Sequence, residues 1–207
     1  MKPAPKKDKK FIAVREDLLQ KIMEIANKDG KSFYSFVNEI FEQAIRAEEL
    51  KLSLNEVIDF YTLIEIMKKA GAVITASDTL EHLINKLYPL EKESLQERWY
   101  HSGVWYGKYL STRFNDALDI FKKILEACIW DISEANLTIN DNGTLSLRCV
   151  APNQSRESTE LFSKFLKGVL SALNYKVAKE ESWRGIIQMD LVKRSPLEDV
   201  EFGVDKL

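Results

Sequence analysis

The chain has 207 residues, 45% of them hydrophobic and 30% charged, with eight glycines and five prolines. That composition excludes a disordered tail or a collagen-like repeat, and the length allows one large domain or two small ones. Thirty basic against 32 acidic residues give a net charge of −2, which excludes a uniformly basic nucleic-acid coat but not a local basic patch.

Residues 1–10, MKPAPKKDKK, carry five lysines, one aspartate and two prolines around a single alanine, and read as a flexible basic arm. The arm leads into no apolar stretch of signal-peptide length, and no run approaches the ~20 apolar residues of a membrane span. A soluble, cytoplasmic protein without a membrane partner is expected. Phe11-Ile12-Ala13-Val14 is a short β-capable run. Next comes a helical pattern on Leu18, Leu19, Ile22, Ile25 and Ala26, with Glu16 and Asp17 in its first turn and Gly30 as a stop. Ser32 is the natural N-cap of a second helix whose apolar face is Phe36, Val37, Ile40, Phe41, Ala44 and Ile45.

Ser53-Leu54-Asn55-Glu56 reads as a capping box opening a third helix, which ends near Ala70-Gly71. Asp78-Thr79-Leu80-Glu81 repeats that logic for a short helix carrying Leu80, Leu83, Ile84 and Leu87. Pro89 and the charged run after it mark a boundary. Beyond it, Gly107, Leu110, Phe114, Ala117, Phe121, Ile124 and Cys128 keep a 3-4-3-4 spacing and predict one long helix. Two strands around Asp141-Asn142-Gly143 form a hairpin, a helix spans about 157–173, and two more strands follow near 175–180 and 185–193. The order helix, two strands, helix, two strands predicts an α+β domain. The expected division is 1–50, a helical connector over 51–94, and 95–207 with an acidic tail.

The arm, the short strand, the glycine-stopped helix and the Ser-capped second helix, best seen in ANKDGKSFYSFVNEIFEQAI, resemble the ribbon-helix-helix superfamily over residues 9–48. A four-residue strand and two helices cannot enclose a core alone. The resemblance therefore implies a homodimer in which two strands pair as a ribbon, and such a ribbon fits the major groove of double-stranded DNA. By position it implies that Ile12 and Val14 face a dimer core shared with Val37, Ile40 and Phe41. Lys9, Phe11 and Ala13 then face the groove. The N-terminus of the second helix, at Lys31 and Ser32, becomes a phosphate clamp, and Lys6, Lys7, Lys10 and Arg15 add phosphate attraction. Family members usually carry polar side chains where Phe11 and Ala13 stand. Those two can touch a thymine methyl but read no donor or acceptor.

In the second part, Trp99, Trp105, Tyr106 and Tyr109 either line a pocket for a small-molecule effector or pack a core. Gly103 and Gly107 permit close helix packing. The helix–hairpin–helix–hairpin order, with Gly185 opening the last strand, is loosely similar to four-vinyl-reductase-type ligand-binding domains, although the cysteines those carry near that glycine are absent here. Cys128 and Cys149 read as buried apolar residues, and His82 and His101 make no metal site. No Walker, dinucleotide, nucleophile-elbow or zinc motif occurs, so neither enzyme activity nor a cofactor or metal is expected.

The sequence reading is thus a dimeric, DNA-binding transcriptional regulator with a C-terminal ligand-sensing or oligomerisation domain. One alternative is a ribbon-helix-helix unit used only for dimerisation, beside a protein-interaction adaptor. Another is a small-molecule-binding protein without DNA. Association beyond a dimer stays open.

Overall fold

The structure is a computed structural model that describes residues 11–127, 131–140 and 143–194. It contains α1 (Glu16–Lys28), α2 (Phe33–Glu49), α3 (Leu54–Lys69), α4 (Ser77–Arg113), α5 (Ala117–Glu126), β1 (Glu134–Ile139), β2 (Leu145–Val150), α6 (Arg156–Ala172), β3 (Tyr175–Trp183) and β4 (Ile186–Lys193). The chain is of the mixed α+β kind and divides into two compact units, up to Asp59 and from Phe60 onward.

In the first unit, α1 stops in a Schellman turn: Lys31 N–H donates to Ala26 O at 2.9 Å and Gly30 N–H to Asn27 O at 3.1 Å. Gly30 takes the left-handed φ of 67° that this turn demands. The Ser32 hydroxyl then caps α2 by accepting from Ser35 N–H at 3.1 Å. Ser53 and Glu56 close a reciprocal capping box, with Ser53 N–H donating to Glu56 Oε2 at 2.6 Å and Glu56 N–H to Ser53 Oγ at 3.2 Å.

The second unit holds the core. Its four strands form one antiparallel sheet in the order β1-β2-β4-β3. Register aligns Leu137 with Leu147 and Leu147 with Met189, while Leu145 faces Leu191 and Cys149 faces Ile187. These residues are buried on one sheet face, as the period-2 alternation of a half-covered antiparallel sheet requires. Leu166, Val169 and Leu170 of α6, Leu110 of α4 and Phe121, Ile124 and Leu125 of α5 complete that cluster, together with Ile66 and Met67 of α3.

Helices α4 and α6 cross at three glycines. A Cβ at Gly103 would stand 2.1 Å from Phe165 O, one at Gly107 2.6 Å from Val169 O, and one at Gly168 2.1 Å from Tyr100 O. The backbones are in contact there, which only residues without a Cβ permit.

Residues 11–14 carry no ladder in the single chain, and Phe11, Ile12 and Val14 are exposed; the strand expected there is one shared between two copies, and a four-residue segment gains too little alone to hold a ladder. Three expectations are corrected. The long seam expected over 107–128 is two helices, because Phe114 is extended (φ −132°, ψ 133°) between α4 and α5, while Cys128 lies outside the described residues. Asp78 is no N-cap: α4 begins after Ala76 without a side-chain cap, and Asp78 sits in its first turn. Pro89 and the charged run after it mark a break in the helix but no domain boundary: Pro89 lies inside α4, and two residues on, at Glu91 (φ −133°, ψ 35°), the chain leaves helical geometry before the helix resumes. The stretch expected as a connector is consequently not separate, since Ile84 and Tyr88 of α4 pack on Leu161 of α6.

Candidate functional site

Among its described residues, the first unit buries only Ala26 and Ala47. Fifteen large apolar residues between Phe11 and Ile58 are exposed, among them Phe11, Ile12, Val14, Phe41 and Ile45. Of the expected dimer core, Val37 and Ile40 are half-buried while Ile12, Val14 and Phe41 are open. Two amphipathic helices thus show an apolar face that the subunit does not cover. At 25 cal/mol per Å2, leaving such a face in water costs several kcal/mol for every few side chains.

The expected DNA-contacting residues divide in three ways. Lys6, Lys7, Lys9 and Lys10 lie outside the described residues. Phe11, Ala13 and Arg15 are exposed, and Arg15 is turned onto Asp17 by a two-pronged bond of 3.0 and 2.5 Å. Lys31 and Ser32 do flank the open N-terminus of α2. Lys31 Nζ, however, reaches along the helix to Glu39 Oε2 at 2.6 Å and lies 5.9 Å from the Phe36 ring centroid. The Glu39 hydrogen bond raises the Lys31 pKa above its ordinary value, so the ammonium stays charged while its field is partly neutralised. From 11 to 59 the chain carries six basic and ten acidic residues, a net of −4, whereas residues 1–10 carry five lysines and one aspartate, a net of +4. Positive charge in this unit is therefore concentrated in the arm.

The aromatic residues of α4 do not converge on one cavity. Trp99 and Tyr106, seven residues apart, share the inward face; Tyr106 is buried and Trp99 half-buried against the core. Trp105 is exposed and meets Tyr109, itself half-buried against the core, edge to face at 5.8 Å. With His101 and Lys108 they line a shallow groove of about 450 Å3.

A cleft of about 480 Å3 that the sequence reading missed opens where the start of α4 meets the β2–α6 connection and the β3–β4 turn. Ser77, Asp78, Glu81, Asp131, Ser155 and Arg184 line it. Much of its polarity is spent internally: Ser77 Oγ donates to Asp131 Oδ2 at 3.1 Å, Ser155 N–H to Glu81 Oε2 at 3.3 Å, and Arg184 Nε to Gln154 O at 3.4 Å. These residues lie too far apart in sequence for any motif to announce them. Among the described residues no group of three or more His, Cys, Asp or Glu side chains is arranged to hold a metal ion, and no helix is long and apolar enough to cross a membrane.

No protein-family model, no curated protein and no solved structure matches the chain.

Proposed function

We propose that the protein is a homodimeric DNA-binding regulator whose first unit pairs, ribbon-helix-helix fashion, with the same unit of a second copy. The observation that carries this reading is the exposed apolar face of residues 11–58 beside a buried core of two alanines. A second copy supplies the surface that face lacks and a partner strand for residues 11–14. Pairing places two arms, each with five lysines, beside the ribbon. The arms supply salt-dependent attraction to phosphates, and the open α2 N-termini add backbone N–H donors. Phe11 and Ala13 at the groove make sequence discrimination weak, resting on contact with thymine methyls. In this reading the second unit is the sensing or association domain, and its mixed-charge cleft is where a polar effector would bind.

A second reading, dimerisation without DNA, is favoured by the Lys31–Glu39 pair and by the net −4 of residues 11–59. The two separate in one experiment: anisotropy titration of full-length protein against duplex DNA at two salt concentrations, alongside sedimentation equilibrium. The regulator reading expects affinity that falls with salt. Lys9→Ala should flatten the slope by about 0.9 for each phosphate that is no longer neutralised, hence by about twice that in a dimer. A dimer whose DNA affinity ignores both salt and Lys9→Ala establishes the second reading. A chain that sediments as a monomer overturns both.

A further inference from the structure

The break at Glu91 divides α4 into residues 77–90 and residues 92–113. Pro89 adds to it, since its ring nitrogen has no N–H to offer Asn85 O. The two halves are attached to α6 in different ways. The second half lies backbone to backbone on α6 at Gly103, Gly107 and Gly168. In the first half only Ile84 and Tyr88 are buried, and they pack on Leu161 of α6. Its opposite side, with Leu80, Leu83, Leu87 and Leu90, is exposed.

Polar ties complete the attachment. The half-buried Glu160 carboxylate of α6 accepts from the Tyr88 hydroxyl before the break and pairs with Lys92 Nζ after it at 3.3 Å. Arg156 Nε donates to its other oxygen at 3.1 Å. Gln96 Nε2 donates to the Tyr88 hydroxyl at 2.9 Å, and Lys92 Nζ stands 5.4 Å from the Tyr88 ring centroid. One anion thus fastens both sides of the break to α6. Towards its start, the first half forms a wall of the polar cleft: Asp78, Glu81 and Asn85 line it from α4, and Asn153, Ser155 and Arg184 from the body of the unit. The Ser77–Asp131 and Glu81–Ser155 hydrogen bonds join the two walls.

We infer that residues 77–90 are a movable wall of this cleft, hinged at Glu91 and latched to α6 by Glu160, which opens while the rest of the unit stays folded. A helix held by two buried side chains and a few polar ties opens at a smaller free energy than a crossing packed backbone to backbone. Opening carries Asp78, Glu81 and Asn85 away from Ser155 and Arg184, so the cleft exists only in the latched state. A molecule that touches both walls adds contacts to that state alone and holds the wall shut. That last step rests on the reading of the cleft as the effector site; the latch itself does not.

Hydrogen–deuterium exchange of the full-length protein, read by mass spectrometry, tests the latch without any ligand. Amides of residues 81–88 should be at least about tenfold less protected than those of residues 100–110. Tyr88→Phe keeps the ring and removes a hydrogen bond to a charged acceptor. It should speed exchange over 81–88 about tenfold and leave 100–110 unchanged. Glu81→Ala, which cuts a tie between the walls, should speed 81–88 alone by about threefold. Equal protection of the two stretches in the parent protein overturns the inference. So does a Tyr88→Phe protein in which both stretches speed up together, because the halves then open as one. A Tyr88→Phe protein unchanged in both stretches overturns the latch at Glu160. All these readouts come from the second unit. A failed DNA titration or a chain that sediments as a monomer therefore leaves them standing, and their failure leaves the regulator reading standing.

Discussion

Gly168→Ala separates two opposing physical effects in the second unit. Inside an exposed helix, alanine is favoured over glycine by about 1 kcal/mol. At position 168 the new methyl would stand 2.1 Å from Tyr100 O, 2.8 Å from Val104 N and 3.0 Å from Gly103 Cα, all of them backbone atoms. No rotamer change relieves such contacts, so α4 and α6 must part along their whole crossing. Overpacking costs typically 1–3 kcal/mol, and three simultaneous backbone contacts place this case at the upper end. Subtracting the propensity gain leaves a net loss of about 2 kcal/mol, or roughly 4–8 °C in Tm for a unit of this size. All four tryptophans, Trp99, Trp105, Trp130 and Trp183, belong to the second unit, so a urea titration followed by tryptophan fluorescence reads that unit alone. The midpoint should fall with the slope unchanged, whereas Ser94→Ala on the exposed side of α4 should hold or slightly raise it. A Gly168→Ala protein as stable as its parent would mean that the helices do not approach this closely.

Two further outcomes follow from the same unit. Thr159→Val should cost about 1–3 kcal/mol in that titration, because the Thr159 hydroxyl accepts from the buried Gly185 N–H at 2.8 Å and an unpartnered buried N–H carries that penalty; an unchanged midpoint would refute the assignment. Acid should unfold the unit partly through Glu160 and Glu180. The Tyr88 hydroxyl, with Lys92 and Arg156, outweighs burial to hold Glu160 below the ordinary carboxylate value; burial pushes Glu180 up, but Lys167 and the Ser163 hydroxyl push it further down. Both folded values lie under the unfolded one, so their contribution is complete above the ordinary value of 4.5 and is lost as pH falls through the depressed values. Glu160→Gln with Glu180→Gln should flatten the acid limb of a stability-versus-pH curve, and parallel limbs would contradict this.

Local signals were legible wherever one segment decides its own shape. The Ser32 cap, the Gly30 stop, the Ser53–Glu56 box and the hairpin around Gly143 each depend on a handful of neighbouring residues. The misreadings came where distant packing decides. Spacing stayed regular through Phe114 because α4 and α5 both turn their apolar faces to one core, which hides a break of three residues. Pro89 reads as a terminator, yet packing of Ile84 and Tyr88 on one side and Trp99 and Tyr106 on the other holds α4 together across the kink. Asp78 imitated a cap, but its helix starts one residue earlier, where Ser77 is engaged by Asp131. Periodicity also marks an apolar face without saying whether that face meets the chain's own core or another molecule, which is why spacing alone marked Val37, Ile40 and Phe41 while their expected partner, a second copy, came only from the family resemblance.

Of the 28 large hydrophobic residues exposed among the described ones, 23 lie before residue 91. Under the proposed pairing of the first unit, a chain that has not met a second copy would be good prey for chaperones and proteases, and assembly would be a second-order event. Halving the rate of synthesis would then cut the surviving pool by more than half, so the proposed dimer could be silenced by dilution alone, with no inhibitor and no dedicated degradation tag.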